Sequence, residues 1–319
     1  MKIFLAGATG AIGKQLVPRL VDSGHDVVGM TRSQSREDAI RQMGATPVVV
    51  DALDADQVAE AVAKAQPEVI VHQLTAIAGF DTRHFDGTFA ATNRLRTVGT
   101  DHLLSAGHAV GVKRFIAQSY AAWPYARTGG PVKTEQDPLD PAPPSQMRET
   151  LEAIRHLEDA VTAADWTEGI VLRYGAFYGP GTSMAPGTEQ FEMVRKRKFP
   201  VVGSGQGVWS FIHIADAAEA TVAAIERGRR GVYNVVDDDP ATVAEWLPAL
   251  AHELGAPKPW HVPRFVGRLA AGEAGAVMMT EIRGASNAKA KRELGWQPMH
   301  PSWRQGFAAG VSAPETAAA

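Results

Sequence analysis

Short apolar runs recur along the first half of the chain, at Lys2–Ala6, Asp26–Met30, Thr46–Val50, Glu68–Gln73, Arg114–Gln118 and Gly169–Arg173. Their length and spacing predict β-strands. Between them apolar residues fall at helical spacing: Ile12, Leu16 and Leu20 share one helix face, and Val58, Val62 and Ala65 another. Gly24 should end the first helix, and Pro18 inside it predicts a kink. Strands alternating with helices predict right-handed βαβ units and a doubly wound parallel sheet, an α/β fold.

Beyond about residue 175 the regular alternation stops. Residues 179–207 are rich in Gly and Pro, and 236–305 mix short helical patterns with links such as GAPKPWHVPR. A strand and helix over Trp209–Arg227 and a strand at Gly231–Val236 return to the main sheet. The pattern predicts a main domain of 1–175 plus 208–236, a smaller lobe of 176–207 plus 237–305, and a tail over 306–319 that frays at SAPETAAA.

Composition narrows the chemistry. A chain of 319 residues with 45% hydrophobic and 21% charged residues is globular, not disordered or fibrous. A net charge of −3 gives no electrostatic reason for a nucleic-acid or anionic-membrane partner. The absence of cysteine excludes disulfides, thiolate metal sites and cysteine nucleophiles, so oxidoreduction would need an organic cofactor. No His/carboxylate metal spacing occurs, and none of the apolar runs reaches the ~18 residues of a membrane span, so a cytoplasmic protein without metal is expected.

Directly after the first strand comes Gly7-Ala8-Thr9-Gly10-Ala11-Ile12-Gly13, opening the first helix. Glycines there let the backbone approach a pyrophosphate, and the helix amino terminus offers free N–H groups and partial positive charge. With this spacing the chain resembles the extended short-chain dehydrogenase/reductase superfamily of NAD(P)-dependent epimerases and dehydratases, over almost its whole length. Further motifs carry the resemblance: Asp51-Ala52-Leu53-Asp54, Val69 to Ala76, Gly99-Thr100 with Leu103-Leu104, Thr134 to Leu139, Tyr178-Gly179-Pro180-Gly181, Phe211 to Asp216 and Val232-Tyr233-Asn234-Val235. It implies a Rossmann-type dinucleotide domain with a smaller substrate lobe. The implied cofactor contacts are Gly7, Thr9, Gly10, Ala11, Ile12, Gly13, Thr31, Arg32, Arg36, Asp51, Ala52, Leu53, Leu74, Thr75, Ala76, Gln118 and Tyr174. A dimer through helices around Arg94–Gly107 and Gln146–Ala163 is implied too.

The end of the second strand reads on the choice of cofactor. An NAD site usually places an acid there to bond the ribose 2′-hydroxyl, but this strand runs into Thr31-Arg32-Ser33. No carboxylate repels a 2′-phosphate, and Arg32 with Arg36 could bind one, which selects NADP(H).

The superfamily's proton transfer uses Tyr-x-x-x-Lys on one helix face, and none of the five tyrosines here has lysine four residues on. Anchoring on Glu158 and Arg173 places Thr150 in the tyrosine position and Ile154 in the lysine position. Either Ser119 or Tyr120 fills the hydroxyl position after strand five. Three readings stay open: a reductase in which Ser119, Tyr120, Tyr125, water or the substrate stabilises the new charge; a sugar epimerase with relocated residues; and a non-catalytic NADP sensor.

Two positions that contact sugar diphosphates in the superfamily are Ala176 and Trp209 here. With Trp123, Phe177, Met184 and Phe191 they suggest a flat, hydrophobic substrate. The leading expectation is an NADPH-dependent ketoreductase acting on an aromatic or polyketide-like ketone, similar to members that tailor antibiotics without the Tyr-Lys pair.

Overall fold

The computed structural model describes residues 1–77 and 79–312, with side chains to residue 308. Seven parallel strands form the central sheet: β1 (Lys2–Ala6), β2 (Asp26–Thr31), β3 (Thr46–Val49), β4 (Val69–His72), β5 (Arg114–Tyr120), β6 (Glu168–Tyr174) and β7 (Gly231–Val235). Their order across the sheet is 7-6-5-4-1-2-3. Chain direction therefore reverses its progress between β1 and β4, where doubly wound sheets open a ligand crevice. The strands expected in the first half and at Gly231 are present, with ends differing by at most two residues, but the strand expected to return to the main sheet after Trp209 does not: Phe211–His213 pairs with Ala176–Tyr178 in a separate two-stranded sheet.

Alternation along each strand feeds two cores. Ile3 and Leu5 of β1 pack with helices α1 (Ala11–Asp22) and, later in the chain, Ile214–Arg227, whereas Phe4 and Ala6 pack on the opposite face with Ala55–Ala65, Thr100–Ala109 and Arg148–Ala163. Buried on both faces, the inner strands β1 and β4 are almost wholly apolar and read as continuous runs, whereas the edge strand β3 is partly exposed. In chain order the helices are α1, α2 (Glu37–Gln42), α3 (Ala55–Ala65), α4 (Phe85–Arg94), α5 (Thr100–Ala109), α6 (Arg148–Ala163), α7 (Glu189–Arg195), α8 (Ile214–Arg227), α9 (Val243–Glu253), α10 (Arg264–Thr280), α11 (Ala288–Leu294) and α12 (Trp303–Ser312).

Ile12, Leu16 and Leu20 are buried on α1, and Gly24 follows its end with φ of 77°. Pro18 lies within α1, which runs on through it to Asp22. Residues 176–211 and 236–308 supply most of a third core, in which Trp209, Trp246, Trp303 and Phe307 pack with Trp123 and Tyr125. Chain beyond 305 is not simply tail: α12 runs from Trp303 to Ser312, and Phe307 is buried. Its aromatic anchors hold it against the lobe, a packing that the small residues around them hide in the sequence. SAPETAAA falls almost wholly outside the described residues. No helix among the described residues is long and apolar enough to cross a membrane.

Candidate active site

The glycine turn joins β1 to α1. Gly7 has φ of 98°, and a Cβ there would lie 2.7 Å from the Gln73 carbonyl oxygen. On Gly13 a Cβ would lie 2.3 Å from the Gly7 oxygen and 2.6 Å from that of Ala8. Only glycine lets helix and turn pack this closely. Gly10 donates its N–H to the Gly7 oxygen at 3.0 Å, and it caps α1 without any side-chain bond. No acidic residue occupies the first turn of α1, so the leading N–H groups, including those of Ala11 and Ile12, are left to an anion. These features fit the pyrophosphate of a dinucleotide.

The loop after β2 fits its adenosine end. Thr31 is buried and its hydroxyl oxygen accepts the Ser33 N–H at 3.2 Å, shaping the turn. Arg32 is exposed and makes no hydrogen bond or ion pair with the described residues, and exposed Arg36 reaches only the Thr9 hydroxyl, at 3.4 Å. Asp51 accepts the Leu53 N–H at 3.0 Å, and the carbonyl of buried Ala52 bonds the His102 ring. After β4, Leu74 donates its N–H to His72 Nδ1 and Ala76 to the Thr92 hydroxyl; Thr75 between them is exposed. Gln118 is half-buried on β5. Tyr174 is different: it is fully buried, with its phenol bonded to Gln73 at 3.1 Å and Thr221 at 2.7 Å, so it supports the site from beneath.

At the carboxyl ends of β5 and β6 lies a buried polar network. Ser119 donates to Glu158 Oε1 at 2.6 Å, and Arg173 holds the same carboxylate in a two-pronged pair at 2.8 and 2.5 Å. Arg173 also donates to the Tyr125 phenol at 2.9 Å, and Tyr125 in turn donates to Asn234 Oδ1 at 2.6 Å. Asn234 is held through its own N–H by Glu135 at 2.8 Å. Thr150 on α6 donates to Asp86 at 2.6 Å and accepts from Asn93 at 3.0 Å, while Ile154 one turn on is buried among apolar groups. The hydroxyls of Ser119, Tyr125 and Thr150 are thus committed within the protein.

Tyr120 is not. Its phenol makes no hydrogen bond with the described residues, and burial pushes it up to about 12, so it stays protonated at neutral pH. The charge that partly offsets this is Arg96, a residue not singled out by the sequence reading. Arg96 sits in a π-helical turn, Leu95–Gly99, between α4 and α5. One signal could have found it: Phe85, Phe89, Thr92, Arg96, Gly99 and Leu103 form a single buried stripe at helical spacing, with one charged member.

The expected substrate residues lie mostly inside the protein. Trp123, Ala176, Met184, Phe191 and Trp209 are all buried in the lobe core, and the Trp209 indole N–H donates to the Met278 carbonyl at 3.0 Å. Phe177 is set apart from them, half-buried against Tyr174 on the α1/α8 side. Residues not expected to hold a metal also meet: His213, Asp216 and His300 place ligand atoms within 4.8 Å of one another. Part of their bonding is internal: Asp216 accepts the backbone N–H groups of Met299 and His300 and pairs with His300 Nδ1, and His213 Nδ1 accepts from the Ala215 N–H.

Comparison with known proteins agrees with this geometry. Residues 3–236 match the NAD dependent epimerase/dehydratase family. A 3-diazoavenalumate denitrifying reductase from a Streptomyces species is 43% identical over 96% of this chain and 99% of its own. A 4-hydroxy-2-methyl-3-oxo-4-farnesyl-3,4-dihydroquinoline-1-oxide ketoreductase from Stigmatella aurantiaca is 25% identical over 80% of this chain and 74% of its own. The UDP-glucose 4-epimerase of Thermotoga maritima shares the fold, with a TM-score of 0.77 at 22% identity over 98% of this chain and 97% of that one. A glycine turn that only glycine can form, a free helix terminus at the switch point and the family match lead to one conclusion: the chain belongs to the NAD dependent epimerase/dehydratase family.

Proposed function

We propose that the protein is an NADPH-dependent reductase that delivers hydride to a flat, apolar aromatic substrate without a Tyr-Lys pair. The observation that carries this reading is the state of the hydroxyls: Ser119, Tyr125 and Thr150 are bonded into the protein, and the free phenol of Tyr120 is a weak acid. Such a site suits a reduction that asks little of the protein as a proton source.

Residues 1–175 plus 208–236 would hold the cofactor, with the Gly7–Gly13 turn on its pyrophosphate and Arg32 and Arg36 on a 2′-phosphate. When bound, the cofactor supplies a hydride from its nicotinamide. The remaining segments, 176–207 plus 237–305, would enclose the substrate. The relative at 43% identity favours a diazo aromatic as that substrate. In reduction of an aryl diazonium the carbon–nitrogen bond breaks as dinitrogen leaves and a carbon–hydrogen bond forms, so no proton is consumed. A ketone is the second reading, favoured by the ketoreductase relative. Its alkoxide requires a proton, for which Tyr120 is the free protein donor.

The test is NADPH consumption against a panel of phenolic aryl diazonium salts, aromatic ketones and UDP-glucose, with dinitrogen release measured alongside. Turnover of the diazonium salts with one dinitrogen per NADPH, and loss of ketone turnover alone in Tyr120→Phe, is the expected result. Conversion of UDP-glucose with no net NADPH consumption would overturn the reductase reading.

A further inference from the structure

Arg96 is a buried cation with no hydrogen-bond or ion-pair partner among the described residues. Its side chain is 6% exposed, Nη1 is buried with no hydrogen bond, and the guanidinium forms no ion pair with any described residue. Taking a charge out of water costs several kcal/mol unless pairing repays it, so native proteins rarely leave an arginine in this condition.

The groups around it do not supply the pairing. Glu158 lies within electrostatic reach, but its two oxygens are already held by Arg173 and Ser119. One carboxylate thus faces two guanidinium groups, leaving a net positive charge in the interior. His72, packed against the same π-helical turn, adds none: its Nδ1 accepts the Leu74 N–H, its Nε2 lies 3.3 Å from the Leu95 carbonyl, and burial lowers it to about 4. Tyr120 is the remaining neighbour, and as a neutral phenol it can donate but not neutralise. π-Helical turns of this kind are frequent at functional sites. Here the turn carries the charge within electrostatic reach of Tyr120, the last residue of β5.

We propose that Arg96, with the Tyr120 phenol beside it, forms a binding subsite for an anionic oxygen carried by the aromatic substrate, a phenolate or a carboxylate. The proposal rests on the reductase reading for what the bound molecule then undergoes, but not for its binding. In the Michaelis complex the oxyanion completes the ion pair that the protein leaves open, and Arg96 fixes which end of a flat ring enters first.

The probes are 4-nitrophenolate, read by its visible absorbance, and benzoate, each against its neutral counterpart, 4-nitroanisole or benzamide, titrated into the purified protein with and without NADPH. The wild type should prefer an anion over its neutral counterpart by at least tenfold, and preference for one pair identifies the oxygen as phenolate or carboxylate. Arg96→Gln should abolish that preference, Arg96→Lys should retain part of it, and NADPH affinity should change less than twofold in both. Removing an unpaired buried charge should also leave the melting temperature of Arg96→Gln unlowered. Equal binding of anion and neutral probe by the wild type would overturn the proposal, and so would an undiminished preference in Arg96→Gln. If Arg96→Gln fails to fold, the wild-type comparison and Arg96→Lys still decide. Charge-selective binding without NADPH consumption on any acceptor would sink the reductase reading while leaving the subsite standing.

Discussion

The pair between Glu158 and Arg173 is the part of the site most sensitive to a single substitution. Both side chains are 6% exposed, so water screens neither. Glu158→Met removes the one carboxylate bonded to Arg173 among the described residues and leaves its guanidinium with the neutral Tyr125 phenol. Breaking a buried pair from one side costs about 3–5 kcal/mol because a charge is stranded, and the Ser119 hydroxyl loses its acceptor in the same step, at about 1 kcal/mol or more. At roughly 2–4 °C per kcal/mol, a total of about 4–6 kcal/mol should lower the melting temperature by about 8–24 °C. Urea denaturation gives the free energies. A cycle with Arg173→Met and the double variant should show coupling of about 2 kcal/mol or more, the double being less damaged than the sum of the singles. A cost below about 1 kcal/mol for Glu158→Met, or strict additivity, would refute the argument that the pair is desolvated and mutually dependent.

Further outcomes follow from the same geometry. Arg32→Ala and Arg36→Ala should each weaken NADPH by about tenfold, roughly 1.4 kcal/mol, while NADH affinity in a fluorescence titration stays within about twofold; parallel losses for both cofactors would reject a 2′-phosphate site. Gly13→Ala forces α1 away from the Gly7 and Ala8 carbonyls, and calorimetry should show dinucleotide binding weakened more than tenfold together with a lower melting temperature. Burial lowers His72 to about 4 in the folded chain, so the unfolded chain binds the proton first; stability present above pH 6.5 should be lost as pH falls toward 4, and His72→Gln should shrink that loss. Burial raises Asp237 to about 8, which has the opposite sign: stability present below its ordinary value near 3.8 is lost as pH rises toward 8, and Asp237→Asn should flatten melting temperature across that window.

The glycine turn and the seven strands were readable because their causes are local. A backbone that must pass a carbonyl at close range demands glycine, and a strand buried on both faces demands apolar residues throughout. The polar network was not readable because its members meet only through the sheet: Ser119 finds Glu158 39 residues away, and Tyr125 finds Asn234 across 109. Register decided what spacing left open. Strand alternation turns Ser119 toward α6 and the Glu158 carboxylate, so the free hydroxyl at the strand end is that of Tyr120. The aromatic residues assigned to the substrate show the converse problem, since a lobe core and an apolar pocket have the same composition. Trp123, Phe191 and Trp209 turned out to pack the core.

The two buried arginines beside this network show how satisfaction separates structure from chemistry. Arg173 has a carboxylate, a phenol and near-complete enclosure, so its charge is paired inside the fold. Arg96 lies close enough to feel the same carboxylate yet its side chain bonds to none of the described residues, on a helical stripe whose other buried positions are apolar or small. A sequence under selection for stability alone would place leucine in that stripe, as it does at Leu103 one helical repeat further on. Local rules broken without internal compensation mark the places where the missing partner comes from outside the chain. For Arg96 the compensation has to be an anion, it has to arrive at the end of β5, and it has to leave again after turnover, which is the behaviour of a substrate and not of a structural ion pair.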